Sequence, residues 1–341
     1  MSLTPDLLRR LPKAELHVHL DGCLRPETMI ELARAQGVRL PADDPAALRR
    51  YMLVNNVRSL EEYLERYLVT VAVMQTPGAL ERIAYEFVRD VARENVRYVE
   101  VRYCPALHTP AMTLAQAAEA PIAGVRRGSE ETGVRVGIIV CGLRTLPPRV
   151  SEDLARLAAD YRTAGIVGFD LAGAERGHPA ADHARAFAHA AAHGLHCTCH
   201  AGEADGAESI RQALHACGAE RIGHGTRLLE DPEIEAYVCE RRIPLEMCLT
   251  SNLHSHAVED LSRHPARRYF DRGCRVTLNT DGRLMDGVTL TDEYWVAHTR
   301  LGFTRAEIDR LILNGFESAF LPAADKAALV ATVQRELQEL Q

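Results

Sequence analysis

Lysine is almost missing from this chain. Only Lys13 and Lys326 break a basic complement that is otherwise arginine, one ahead of the first predicted strand and one in the last predicted helix. Neither stands at a predicted mid-chain strand end. The nine cysteines contain no CxxC pair and are odd in number; they read as reduced thiols, mostly small core residues. No apolar run is long enough to span a bilayer, and the opening MSLTPDLLRRLPK lacks a signal-peptide core. A soluble, cytoplasmic protein is expected. Positive charge is not in excess: the net charge of -7 argues against nucleic-acid backbones and anionic membranes as partners. There is no low-complexity run, no repeat of fixed period and no linker, so one domain over residues 1–341 is expected. The single tryptophan, Trp295, is uninformative, and nothing in the chain predicts an oligomeric state.

What is present begins with Lys13-Ala-Glu-Leu-His-Val-His-Leu-Asp-Gly22. Leu16, Val18 and Leu20 alternate with His17, His19 and Asp21, and a period of two means a strand with two imidazoles and a carboxylate on one face. Buried imidazoles need a partner, and a cation satisfies two at once.

Beyond this strand, Pro26–Gln36 reads as a helix with proline in its first turn. Residues 37–58 read as irregular. Ser59-Leu-Glu-Glu62 is a capping box opening a helix with Leu60, Leu64, Leu68 and Val71 on one stripe, and a further helix fills 78–94. These helices, within an insertion at about 37–94, are expected to wall one end of the core. Strands follow at Val96–Tyr103, Val134–Cys141, Ile166–Leu171, Leu195–His200, Arg221–Gly223, Ile243–Cys248 and Arg275–Thr280. Helices alternate with them, and only helices follow, at 290–301, Thr304–Phe316 and 323–339. Eight β-then-α units force parallel strands with helical crossovers and close an α/β (β/α)8 TIM barrel, with extra helices after strand one and at the C-terminus. An open doubly wound sheet would have fewer strands and a glycine-rich first turn, which is absent.

In such a barrel the C-terminal strand ends converge on the active site. Strand one supplies His17, His19 and then Asp21; strand four ends at Gly173, strand five at His200 followed by Glu203, strand six at His224 and strand eight at Asp281. Three histidines and an aspartate match a Zn2+-type ligand set with one position open to water.

The stretches LPKAELHVHLDG, DLAGAE, HAGE, RIGHGT, LEMCLTSN and LNTD, in this order, resemble the adenosine deaminase family of the amidohydrolase superfamily over nearly the whole chain. The resemblance implies one zinc per chain held by His17, His19, His200 and Asp281. It implies that Glu203 is the proton donor, that His224 orients the attacking water, that Asp281 is also the base, that Asp21 contacts ribose and that Gly173 contacts the purine. The implied activity is zinc-dependent hydrolytic deamination of a 6-aminopurine nucleoside, adenosine or 2′-deoxyadenosine. A modified nucleoside such as 6-aminodeoxyfutalosine or methylthioadenosine, or free adenine, is the alternative. A barrel that has lost catalysis and only binds a ligand is a third. Small zinc deaminases acting on cytosine carry PCxxC, which this chain lacks.

One position departs from the family: Gly282 stands where a carboxylate or amide would meet the purine N7, leaving Arg283, Asp286 or a water to fill the space. His254, His256 and His264 read as surface or pocket-rim residues, Cys197 and Cys199 as core facing the helices, and Tyr51, Tyr63 and Tyr67 as packing.

Overall fold

The computed structural model describes residues 3–340. Eight parallel strands run in sequence order: β1 (Lys13–His19), β2 (Val96–Tyr103), β3 (Arg135–Leu143), β4 (Ile166–Ala172), β5 (His196–Ala201), β6 (Arg221–His224), β7 (Leu245–Met247) and β8 (Val276–Leu278). The barrel closes where the chain leaving β8 meets β1. Asp281 N–H donates to His17 O at 3.0 Å, and His19 N–H donates to Asp281 O at 2.9 Å. β1 is irregular between Glu15 and Val18, and the Asn279 side-chain oxygen takes the freed N–H groups of Leu16 (2.7 Å) and His17 (3.1 Å). Three expected metal ligands therefore lie on the closing seam. The eight-stranded barrel with outer helices is the fold read from the sequence.

The helices obey their caps. Pro26–Gln36 starts on proline and stops at Gly37, whose φ of 67° supplies the left-handed C-cap that a side chain would resist. Ser59 accepts the N–H of Glu62 and opens the helix Leu60–Ala72, but the Glu62 carboxylate turns to the N–H of Arg58, so only half of the expected capping box forms.

Four expectations need correction. Residues 37–58 are not wholly irregular: Asp44 caps a helix over Pro45–Met52, with Pro45 at its first position. Leu249–His254 forms a short helix that the sequence reading missed. Cys239 and Cys274 are joined, with Cα atoms 4.2 Å apart, while the other seven cysteines are free. Leu68, placed on the apolar stripe, is 69% exposed.

Candidate active site

The strand ends gather the side chains expected to meet there. One ligand atom from each of His17, His19, His200 and Asp281 lies within 4.8 Å of the others. His19 Nε2 and His200 Nε2 face each other at 3.1 Å, and Asp281 Oδ1 lies 3.3 Å from His19 Nε2 and 3.5 Å from His17 Nε2. His17 Nε2 is buried without a hydrogen-bond partner. Burial, with Arg102 and His200 adding to it, pushes the His17 imidazole down to about 4; burial also holds His19 well below its ordinary range, against the opposing pull of Asp281. Neutral imidazoles at His17 and His19 beside a carboxylate kept ionised fit a divalent cation, while against burial Asp170 holds the His200 imidazole above its ordinary range.

The other ring nitrogens are tied to carboxylates. His17 Nδ1 donates to Glu246 at 2.9 Å, and His200 Nδ1 to Asp170 at 3.0 Å. Fully buried Arg102 spans both acceptors, at 3.0 Å from Asp170 and 2.8 Å from Glu246. Arg221 holds the second oxygen of Glu246 and also pairs with Glu100. Such partners fix the tautomer and aim of a ligating imidazole. Ser251 Oγ donates to Asp281 Oδ2 at 2.6 Å, leaving Oδ1 for the cluster.

Glu203 and His224 flank this set, with His224 Nε2 3.5 Å from Glu203 Oε2. Asn252 donates its amide to His224 Nδ1 at 2.9 Å and accepts from His264 Nε2 at 3.2 Å, which leaves the His224 proton on Nε2. Burial, reinforced by Asp281 and opposed by His224, raises the Glu203 carboxyl above its usual range. Glu203 rides on a loop collected by Glu175, whose carboxylate accepts the N–H groups of Gly202 (2.6 Å), Glu203 (3.0 Å), Ala204 (2.7 Å) and Asp205 (2.9 Å). His224 and Asp281 both sit at φ 61°, a left-handed conformation that side chains resist and that marks functional strand ends.

A cavity of about 440 Å³ opens above these groups. His19, Asp21, Gly173, His200, Glu203, His224 and Asp281 line its floor; the helix Leu60–Ala72 walls it with Tyr63, Leu64 and Tyr67. His17 lies beneath. Gly282 is covered by tyrosine hydroxyls of that helix, and neither residue expected to fill its space does so. Arg283 points away to Glu15 (2.8 Å) and Glu94 (2.6 Å). Asp286 accepts from Tyr63 Oη and His254 Nδ1, each at 2.8 Å. The histidines at 254, 256 and 264 do not cluster: His256 Nε2 bonds Val57 O, and His264 is buried against Asn252 rather than at the surface. Glu175, Asp170, Glu246, Ser251 and Asn252 had gone unassigned, although all lie inside the stretches that carried the resemblance.

A parallel barrel with three histidines, an aspartate and an adjacent protonatable glutamate at its C-terminal mouth defines a metal-dependent hydrolase of the amidohydrolase type. The chain belongs to the adenosine deaminase family, which it matches over residues 12–336. It is 40% identical to adenosine deaminase 1 of Streptomyces coelicolor, over 97% of this chain and 88% of that one, and 38% identical to the adenosine deaminase of Mycobacterium marinum, over 97% and 96%. A probable adenosine deaminase of Dictyostelium discoideum is 39% identical, but this chain spans only 42% of its length. Among solved structures, the adenine deaminase of Arthrobacter aurescens superposes with a TM-score of 0.90 at 29% identity, covering 96% of this chain and 99% of that one. The N6-mAMP deaminase of Arabidopsis superposes at 0.87 and 28%, covering 97% and 99%.

Proposed function

We propose that this chain, as one barrel domain, hydrolytically deaminates a 6-aminopurine nucleoside, with adenosine and 2′-deoxyadenosine as leading substrates and one Zn2+ per chain. The observation that carries the reading is the convergence of His17, His19, His200 and Asp281 beside Glu203 and His224 at the base of a cavity walled by the helix Leu60–Ala72. The four ligand residues would hold the ion, which supplies a water acidic enough to serve as a nucleophile near neutral pH. Bound zinc in an amidohydrolase that superposes at a TM-score of 0.90 and 25% identity supports the choice of metal.

The remaining work falls to the protein. Glu203, whose carboxyl burial raises above its usual range, donates to ring N1 as water adds to C6 and aromaticity is lost. His224, with its proton on Nε2, orients the oxygen nucleophile from the Glu203 side. Asp281 accepts the water proton and returns it to the departing amine, and the remaining C6 hydroxyl proton returns to Glu203, so that water enters, ammonia leaves and the 6-oxo purine remains. Asp21, buried in the cavity lining, is the residue assigned to the sugar, and the backbone of Gly173, also in the lining, is assigned to the base.

The names of the relatives favour adenosine over adenine, while those of the solved neighbours keep adenine and N6-methyl-AMP in the panel. An absorbance screen for loss of the 6-amino or 6-methylamino chromophore decides among adenosine, 2′-deoxyadenosine, adenine, N6-methyl-AMP, methylthioadenosine and 6-aminodeoxyfutalosine. Turnover of none of them by zinc-loaded protein would overturn the reading.

A further inference from the structure

Two hydroxyl groups occupy the place of a side chain at residue 282. A Cβ built on Gly282 would fall 2.6 Å from Tyr63 Oη and 2.8 Å from Tyr67 Oη, closer than real contacts allow. A Cβ on Gly22 would fall 3.1 Å from the same Tyr67 Oη and 2.9 Å from Gly282 Cα. The exits of β1 and β8 thus form a two-glycine socket, and the helix Leu60–Ala72 fills it with tyrosine heads. The backbone of Gly282, at φ -106°, is open to any residue, so space and not conformation demands glycine here.

The two tyrosines have different tasks. Tyr63 is buried, and its hydroxyl is committed to Asp286, whose other oxygen takes His254. That chain anchors the helix to the barrel rim. Tyr67 is half-buried, lines the cavity and sets its ring edge toward His19, with centroids 6.1 Å apart. Burial and the nearby Asp281 and Asp21 carboxylates keep its phenol neutral, so it presents an O–H donor.

The substrate's constitution supplies the other half of the argument. N1 and N7 of a purine lie on opposite flanks of C6. Glu203, the donor to N1, follows β5; the β8–β1 seam with its glycine socket lies across the barrel from β5 in the strand order. With C6 over the metal ligands and N1 at Glu203, the N7 edge faces the seam, where Tyr67 Oη stands.

We propose that Tyr67 is a specificity-determining residue whose hydroxyl, seated by the Gly22–Gly282 socket, donates a hydrogen bond to N7 of the purine. The proposal rests on the reading of the site as a 6-aminopurine deaminase with N1 at Glu203.

The test compares adenosine with 7-deazaadenosine, which replaces N7 by C–H at nearly unchanged shape. In the zinc-loaded full chain, Tyr67→Phe should lower kcat/KM for adenosine by roughly tenfold, the scale of one hydrogen bond, and leave that for 7-deazaadenosine unchanged. If the deaza analogue turns over too slowly, its inhibition constant against adenosine, unchanged by the substitution, reads the same difference. Thermal melting of the variant, expected within a few degrees of the parent, separates this loss from misfolding. Equal loss on both compounds, or loss on neither, overturns the N7 assignment while the deaminase reading stands. An unmutated protein that deaminates no 6-aminopurine overturns both.

Discussion

The Glu175 carboxylate accepts the backbone N–H of Glu203 at 3.0 Å, together with those of the residue before it and the two after it. One side chain thereby fixes the turn that aims the proposed proton donor. Charged acceptors of this kind are worth more than neutral ones, and each lost partner leaves a buried N–H unsatisfied. Glu175→Ala should lower kcat by about a hundredfold or more with a smaller change in KM, because a misplaced donor costs transition-state stabilisation first. Glu175→Gln, keeping one oxygen, should retain more activity than the alanine variant. Equal kcat in parent and alanine variant would show that the loop holds its shape without this carboxylate.

Much of this was legible before any coordinates. Alternation of strand and helix carried the barrel, and each expected ligand stood at a strand end, where topology makes ends converge. The roles of Glu175, Asp170, Glu246 and Asn252 were not legible, although the residues were in plain view. Their partners lie tens of residues away or across the barrel, and a letter in a motif does not show its bond. Tyr63 and Tyr67 read as packing because helical periodicity reports which face is buried and not what a hydroxyl at its edge will meet. The Pro45–Met52 helix was missed despite the Asp44-Pro45 start, since eight residues offer too little periodicity to count.

Arg102 ties Asp170 and Glu246 together beneath the proposed metal ligands, so removing its charge leaves Asp170 buried without a guanidinium partner and Glu246 with Arg221 alone. Arg102→Met should destabilise the fold by about 3–5 kcal/mol. Surviving folded protein should bind Zn2+ about 10–100 times more weakly, because the imidazoles of His17 and His200 lose their fixed aim. Calorimetric melting with and without zinc, and a competition titration against a chelator, read these two effects separately. Parent-like affinity in the variant would mean that the carboxylates orient the imidazoles unaided.

Stripping the metal with a chelator should abolish turnover, and one equivalent of Zn2+ should restore it. Two equivalents in fully active protein would sink the single-metal reading. His200→Ala should lose both metal and activity. Glu203→Gln should lose activity at parent-like metal content, since the amide keeps the shape but offers N1 no acidic proton.

The same glutamate sets a pH dependence. Burial raises its carboxyl, and the donor is competent only while protonated, so its contribution is present below its raised pKa and is lost as pH climbs through it. The kcat/KM profile should therefore fall on the alkaline side with a slope of one proton. Residual turnover of Glu203→Gln should lack that limb. A profile with an identical limb in the variant assigns the titration to another group.

Gly282 gives a prediction that separates packing from chemistry. Gly282→Ala meets Tyr63 Oη and Tyr67 Oη at 2.6 and 2.8 Å, and neither ring can retreat freely: Tyr63 is pinned by Asp286, and Tyr67 rests on Gly22. Overpacking of a fitted site costs about 1–3 kcal/mol, so the alanine variant should lose that much stability, with its loss of activity following from the displaced wall helix. Removing both hydroxyls in Tyr63→Phe/Tyr67→Phe opens the space a methyl group needs. In that background Gly282→Ala should cost little, giving a coupling free energy of about 1 kcal/mol or more in a double-mutant cycle by denaturant unfolding. Additivity within about 0.5 kcal/mol would show that the socket is loose and that the glycine is not held there by the tyrosines.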